Sequence, residues 1–315
     1  MKLTTYDLRE ITNHKCIKKC NPEKRKETTD NDICKVTKSE LDELPVRCVG
    51  DWAYQKIYRL NQYFGIFSNG MKNKWNGLNY IELCSGPGRC ILRKTGEEID
   101  GTAISILRHP SFSFIKKAIF IDNDETIIKI LNERIKNLAI SHSYGILGNY
   151  NDIDTLGNIF SDLKKDFLNL IFIDPTDCSV PFKTIRFIKE YFKNVDFIMN
   201  FPYGTDLIRN LHGAIQNVTW SSRVKYLKFL GSEDFFERKE VKSLAVLPNK
   251  QQLVLEYFKE YIKNLKSIGL EYCESEQVKN YYMLLFASGN SKGLEFWKES
   301  QKINPNEQRE IVFYD

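Results

Sequence analysis

Between residues 78 and 200 five short apolar runs alternate with segments of helical period, and this alternation limits the fold more than any other feature. The runs are LNYIELC at 78–84, KAIFID at 117–122, SYGILG at 143–148, LNLIFID at 168–174 and VDFIMN at 195–200. The intervening segments 101–109, 124–138, 152–165 and 181–193 read as helices, with Asp124 as an N-cap and Pro181 in a first turn. Strands that are apolar throughout, rather than alternating, are covered on both faces, so they predict a parallel sheet between helical layers. Trp52, Ile57, Leu60, Phe64 and Phe67 add a helix over 51–68, ahead of the first strand. A helix over 250–269 precedes two strand-like stretches, 270–275 and 280–288, which predict a hairpin at the far edge. The expected architecture is α/β and Rossmann-like, a mostly parallel seven-stranded sheet with an antiparallel last strand.

The chain has 315 residues, 42% hydrophobic and 28% charged. That balance excludes a disordered chain, a fibrous repeat and a multi-span membrane protein. The opening MKLTTYDLREITNHK is polar, and no run of about eighteen apolar residues follows. These features predict a cytoplasmic protein with no membrane partner, whose eight cysteines stay reduced. The formal net charge of +5 permits a nucleic-acid partner without requiring one. Residues 1–50 are polar, with 22–39 reading as loop, and form a Cys-bearing N-terminal segment. Residues 51–315 form the main domain, with an insertion at about 205–248 that breaks the strand–helix rhythm.

The strongest local signal ends the first strand: Glu82-Leu-Cys-Ser85-Gly86-Pro87-Gly88. Glycines there let the backbone turn sharply and approach a ligand closely. A dinucleotide fingerprint would place a third glycine at 91, where Ile91 stands, and no helix starts at once. An acidic residue four before a G-x-G is the pattern of S-adenosylmethionine (AdoMet) binders; a ligand-free strand-ending turn is the alternative. Asp122, ending the second strand, is the expected acceptor for ribose hydroxyls. Asn149 and Tyr150 stand where adenine is met, Asn149 for its amine and Tyr150 for stacking, against a plain Asn turn. With Glu82, Ser85, Gly86, Pro87, Gly88 and Asp174, Asp122 and Asn149 make the candidate cofactor set.

The fourth strand ends in Asp174-Pro175-Thr176-Asp177-Cys178 and the fifth in Asn200-Phe201-Pro202-Tyr203. A polar residue before Pro can aim a side-chain oxygen and a backbone carbonyl at an amine, as D-P-P-Y and N-P-P-Y do in amino-methyltransferases. Neither stretch matches fully. Asp174 and Asn200 are the candidate catalytic groups, Asp174 orienting an amine and then taking its proton. Tyr203, with Phe201, would stack on a planar base. The alternatives are that Asp174 caps a helix and Phe201 fills the core. Cys178 could instead be a nucleophile, which needs a thiolate.

Together YIELCSGPGR, GTAISIL, FIDNDE, IFIDPTD, MNFPYGTDLIRN and MLLFASGNSKGLEFW resemble the three-Cys-motif partner proteins, bacterial and phage-associated, from about Trp52 to the C-terminus. Lys56, after Trp52, resembles the family's N-terminal Trp…Lys signature. The resemblance implies a class I methyltransferase-like fold that binds AdoMet. Two functions follow from it: an AdoMet-dependent methyltransferase acting on DNA or RNA, or a catalytically silent AdoMet-binding regulator of a neighbouring protein in a phage-related or defence system. Glu82 departs conservatively from the family's usual Asp, and Asp177 stands where Gly is frequent.

Cys16, Cys20, Cys34 and Cys48 sit in the polar head, where apolar burial is not expected. Cys16 and Cys20 form a close pair that permits a zinc knuckle with Cys34 and Cys48, or with His14 replacing one; unliganded thiols are the alternative. Cys84, Cys90, Cys178 and Cys273 read as small buried hydrophobes near strands. In 205–248, Arg209, His212, Arg223, Lys225, Lys228, Arg238, Lys239 and Lys242 interleave with Trp220, Tyr226, Phe229, Phe235 and Phe236. Such a mixture can steer phosphates and stack on bases, although acids at 233, 234, 237 and 240 dilute it.

Overall fold

A computed structural model describes residues 2–4, 29–30, 33–302 and 310–312. His14, Cys16 and Cys20 lie outside the described residues. In chain order the strands are β1 (Lys2–Thr4), β2 (Thr29–Asp30), β3 (Ile33–Lys38), β4 (Pro45–Val49), β5 (Leu78–Leu83), β6 (Arg89–Leu92), β7 (Glu98–Asp100) and β8 (Ile115–Asp122). They continue as β9 (Ser143–Leu147), β10 (Leu168–Ile173), β11 (Val195–Phe201), β12 (Tyr272–Val278), β13 (Tyr282–Ser288) and β14 (Glu310–Val312). Seven of them form one sheet in the order β12-β13-β11-β10-β5-β8-β9. β5, β8 and β9 run parallel, as do β10 and β11, while β13 is antiparallel to both its neighbours. This is the expected Rossmann-like class I methyltransferase fold, with the last strand inserted antiparallel between β11 and β12.

Two compact units divide the chain, 1–148 with 296–315, and 149–295. In the first, the helix Trp52–Met71 buries residues on most of its circumference. Phe64 meets Tyr80 of β5 edge-on at 5.8 Å, Tyr80 meets Phe120 of β8, and Tyr63 packs on Trp297. Asp124 caps the helix Glu125–Asn137 by accepting from the N–H groups of Thr126 and Ile127, as expected.

A second sheet of this unit, β2-β3-β4-β6-β7, runs counter to the sequence reading of 22–39 as loop. β4 pairs parallel to β6, placing Cys48 opposite Ile91. Cys34 and Cys48 are buried, Cys34 in a cluster with Val46 and Ile91. This corrects the expectation that the head's polar composition keeps them out of apolar surroundings: both are core-facing strand positions. β6 and β7 are a hairpin between the glycine turn and the helix Thr102–Arg108. Its strands are tied by Arg89, only 2% exposed, which donates to Glu98 and to Asp100 (2.8 Å). Ser39 and the Glu40 N–H also donate to Glu98, at 2.6 and 3.1 Å, which attaches the β3–β4 loop to the hairpin.

In the second unit the helix Ile153–Phe160 stops short of the expected 165, and the hairpin β12–β13 forms as expected. Residues 203–245 fold into a π-helical turn, the helices Ile208–Gln216, Arg223–Leu230 and Lys239–Ala245, and a 3-10 turn. Phe201 packs among Phe229, Phe258 and Tyr261 with ring centres 4.8–5.7 Å away. It is core, and does not stack on a ligand base.

Replacing Arg89 with Met would take the arginine from the buried Glu98 and leave Asp100 with Arg108 (3.3 Å). Breaking a buried ion pair from one side costs about 3–5 kcal/mol, so Arg89→Met should lower the urea midpoint sharply; a loss under about 1 kcal/mol would contradict this role. His109 gives a pH signature. Its Nδ1 accepts the Ser111 N–H at 3.1 Å and its ring lies edge-on to Phe64. Burial holds the ring neutral, with a pKa lowered from 6.5 to about 4. The unfolded chain therefore takes up a proton over that window while the folded chain does not, and stability falls as pH drops from about 6.5 to about 4. Urea titrations at pH 7 and 4.5 should show this fall, and His109→Asn should reduce it.

Candidate functional site

In the first unit the turn after β5 carries three left-handed residues: Cys84 (φ 62°), Gly86 (φ 64°) and Gly88 (φ 90°). Such a path is costly for a side-chain-bearing residue, so it needs fixed anchors. The Ser85 N–H donates to the Ile121 carbonyl at 3.2 Å, and the Gly86 N–H donates to Asp122 Oδ2 at 3.0 Å. From below, the buried Arg134 guanidinium donates to the Pro87 carbonyl at 2.6 Å and to Asp42 at 2.7 and 3.1 Å. The Arg134 charge and hydrogen bonds outweigh burial at Asp42 and hold its carboxyl below the ordinary carboxylate value.

Asp122 is 6% exposed, and its other oxygen accepts the Asp124 N–H at 3.2 Å. Burial pushes its pKa up; the bonds from Gly86 and Asp124, and then the charge of Arg47, oppose that. Each carboxylate oxygen has two lone pairs, so acceptor capacity for ribose hydroxyls remains. Glu82 is fully buried, and its oxygens accept from Thr102 Oγ1 and from Tyr80 Oη (2.8 Å), which joins strand to helix. Ser85 Oγ is buried without a hydrogen-bond partner. A buried hydroxyl left unpaired costs about 1–3 kcal/mol unless a ligand or water completes it. The bare backbone at Gly86 and Gly88, the orphan hydroxyl and the carboxylate fit a nucleoside with a polar tail such as AdoMet.

In the second unit, Asn200 at the end of β11 donates from Nδ2 to Asp174 Oδ1 (3.1 Å) and to the Pro175 carbonyl (2.9 Å). The D-P and N-F-P-Y stretches are thereby joined by one amide. Asn200 is 6% exposed and its Oδ1 has no hydrogen-bond partner. An oriented orphan acceptor beside a carboxylate is what an incoming N–H group requires. Tyr203 is buried at the start of the π-helical turn, with its hydroxyl pKa raised by burial. Asn149 is exposed, and its Oδ1 accepts the Asn151 N–H at 3.0 Å, so it forms the plain Asn turn. Tyr150 is buried, its carbonyl accepting from Thr184 at 2.6 Å.

Cys178 cannot serve as the nucleophile. It is buried, and burial together with the nearby Asp206 raises the thiol well above its ordinary value, the reverse of what a thiolate needs. Its N–H donates to Asp206, which also accepts from Lys225, Tyr226 and Asn210 at 2.7–3.0 Å. Lys225 binds Asp177 as well, at 3.1 Å, so the acid that departs from the family pattern is an internal ion-pair partner. Other cations of the insertion are likewise engaged: Arg223 with Glu237, Arg238 with Asp234 and Glu260, and Lys242 with Glu237. Tyr226, Phe229, Phe235 and Phe236 are core residues, so these four rings do not offer stacking faces. No group of three or more His, Cys, Asp or Glu side chains among the described residues is placed to hold a metal; Cys34 and Cys48 are buried strand residues and Cys16 and Cys20 lie outside the described residues, so the zinc knuckle permitted there is unsupported. No helix among the described residues is long and apolar enough to cross a membrane.

No protein-family model and no curated protein matches the chain. Among solved structures, a Legionella pneumophila protein of the family DUF519 is 11% identical, with a TM-score of 0.46 over 81% of this chain and 95% of that one. The CurJ carbon methyltransferase is 14% identical, with a TM-score of 0.39 over 69% and 49%. A fibrillarin/Nop5p complex gives 10% identity and 0.36 over 67% and 71%. At these scores the likenesses carry no weight beside the strand order of the sheet itself.

The loop glycines differ in what a methyl group would meet. At Gly86 a Cβ would lie 3.3 Å from the mobile end of Arg47; at Gly88 it would lie 2.8 Å from Ile104 Cγ1 and 3.0 Å from Leu131 Cδ1. Gly86→Ala should therefore cost about 1–2 kcal/mol, the left-handed penalty alone. Gly88→Ala should cost about 2–5 kcal/mol, because overpacking adds to that penalty. Equal urea midpoints for the two variants would show that packing around Gly88 yields freely.

Proposed function

We propose that this chain is an AdoMet-dependent methyltransferase of class I type, related to the three-Cys-motif partner proteins and acting on an amine nitrogen of a nucleic-acid base. The observation that carries the reading is the left-handed loop 84–88, pinned by Gly86 to Asp122 beyond the carboxyl ends of β5 and β8. Ligands of open α/β sheets bind at that end of the strands. Ser85, Gly86, Gly88 and Asp122 are the residues that would hold AdoMet, which when bound supplies an electrophilic methyl group on a sulfonium. Asn200 Oδ1 and the Asp174 carboxylate supply two acceptors for the two hydrogens of an amine, and Asp174 takes the proton released on transfer. A nucleic-acid acceptor is supported by the net charge of +5 and by Asn200-Phe-Pro-Tyr203 at the end of β11.

The committed cations and buried rings of the insertion favour a second reading, a silent AdoMet-binding regulator of a neighbouring protein. Radiolabelled methyl transfer to DNA, RNA and protein separates the two. The first reading expects label in nucleic acid, and the second expects binding of AdoMet without transfer. In calorimetry Asp122→Ala should weaken AdoMet about ten- to a hundredfold, the loss of one charged acceptor. Asp174→Ala should leave that affinity unchanged and cut turnover at least about a hundredfold. Binding of a dinucleotide but not of AdoMet would overturn both readings.

A further inference from the structure

In the first unit, the amino ends of β5, β8 and β9 gather charge of one sign. The segments around them, 69–78, 110–119 and 138–145, hold four lysines, one histidine and no Asp or Glu, in a chain with 41 acids. Folding makes the three segments one surface. Asn69 Nδ2 donates to Ser111 Oγ at 2.7 Å, Lys72 Nζ stands 4.0 Å over the Phe114 ring, and Phe112 stacks on His142 at 5.1 Å. Lys74 and Lys116 are exposed. Among the described residues no carboxylate lies within ion-pair distance of Lys72, Lys74 or Lys116. By contrast Lys129, Lys259 and Lys292 each pair with a glutamate one turn away on their own helix. The exposed Asn73, Asn76, Ser113 and Ser141 interleave with the lysines, and no large apolar side chain of the three segments is exposed.

We propose that this face binds the sugar–phosphate backbone of a nucleic-acid strand, with Lys72, Lys74 and Lys116 as its phosphate contacts. Lysines neutralise phosphates and release their counterions, while Asn and Ser side chains donate to phosphate and sugar oxygens, and the face presents both kinds of group. The Phe114 ring seats the Lys72 ammonium, so less side-chain freedom is lost when a phosphate arrives. An anionic membrane would also attract lysines, but this face has no large apolar side chain to insert into it. The face is separate from the glycine loop. β8 spans eight residues, about 26 Å, between the amino end and Asp122. A strand held here is gripped away from any reacting base, and the assignment stands whether or not the chain transfers methyl groups. It also moves the nucleic-acid surface off the insertion, where the cations are engaged by acids.

The test uses the full chain without AdoMet, in fluorescence anisotropy with a fluorescein-labelled single-stranded oligonucleotide of mixed sequence, titrated at several salt concentrations. Wild type should bind with an affinity that falls linearly on a log–log plot against salt. The double variant Lys74→Gln/Lys116→Gln should flatten that slope by roughly 1.4, the share of two phosphates on a single strand, and weaken binding about tenfold or more at low salt. Lys74→Arg/Lys116→Arg should restore both, because the charge is kept. Lys239→Gln/Lys250→Gln removes the same net charge from exposed positions in the second unit and should change neither. Matching urea midpoints for all the variants show that they are folded. Equal weakening by the two glutamine pairs would make the effect one of net charge and overturn the assignment. An unchanged slope in Lys74→Gln/Lys116→Gln, or a wild type that does not bind the strand, would overturn it as well. Binding to vesicles of phosphatidylserine and phosphatidylcholine but not to the strand, lost in Lys74→Gln/Lys116→Gln, would reassign the face to a membrane. None of these readings involves methyl transfer, so failure here leaves the cofactor reading to its own test.

Discussion

The hydrogen bond from the Gly86 N–H to Asp122 Oδ2 joins the ends of two adjacent parallel strands through a loop that would not hold its shape unaided. Three left-handed residues in five mean that the loop has no regular hydrogen-bond pattern of its own. Its backbone polar groups must be satisfied from outside, and the anchors come from two elements: Asp122 and Ile121 from β8, Arg134 from the following helix. Arg134 in turn holds Asp42 and the Leu44 carbonyl, just before β4, and so positions the strand that carries Arg47. One chain of polar contacts therefore runs from the loop through Arg134 to the segment that leads into β4. Burial raises the pKa of Asp122, so the carboxylate is costly to ionise there, and Arg47 contributes to keeping it charged.

A similar economy operates in the second unit. Asp206 collects four donors, from Cys178, Asn210, Lys225 and Tyr226, and through Lys225 reaches Asp177. Those bonds and the ammonium of Lys225 outweigh burial and hold its carboxyl below the ordinary carboxylate value. The network fixes the stretch 177–178 that follows Asp174-Pro175, while Asn200 fixes Asp174 and Pro175 themselves. What looks in the sequence like a basic, aromatic surface is thus largely a scaffold for the strand ends. Rigid support of this kind is what a pair of orienting groups needs, because a misplacement of about 1 Å can cost a hundredfold in rate.

The large sheet was legible because its strands are apolar on both faces and bounded by Gly, Pro and Asp, so each announces itself within seven residues. The small sheet was not. In Pro45-Val-Arg-Cys-Val49 only Val46 and Cys48 are fully buried, Val49 packing partly buried against Ile57 and Tyr58, and the partner β6 lies some forty residues on, so neither composition nor local period marks the pairing. Strict alternation over 45–49 was the signal available, and it would have placed Arg47 on the outward face. Asp122, Gly86 and Gly88 were readable as a candidate site because their residue types are needed at strand ends. That Asn200 spends its Nδ2 on Asp174 and Pro175 and leaves Oδ1 unsatisfied, and that Glu82 spends its carboxylate on Thr102 and Tyr80, depend on side chains brought together only by folding.

The missing third glycine of the loop motif has a structural explanation. After Gly88 the chain leaves through the hairpin β6–β7 and returns at Gly101, whose N–H donates to the Gly88 carbonyl at 2.7 Å. A Cβ at 101 would approach that carbonyl oxygen to 2.9 Å, so the position demands glycine for the same reason the contiguous motif does. The helix Thr102–Arg108 then starts beside the loop, well after Gly88 rather than at once as in a dinucleotide fingerprint. The detour is closed by Arg89 between Glu98 and Asp100, and the same hairpin strand β6 accepts β4 alongside it. The inserted hairpin hides the glycine spacing from a pattern search and also supplies the edge on which β4 lies. A contiguous motif would have no such edge, so the departure from the pattern and the small sheet have one structural origin.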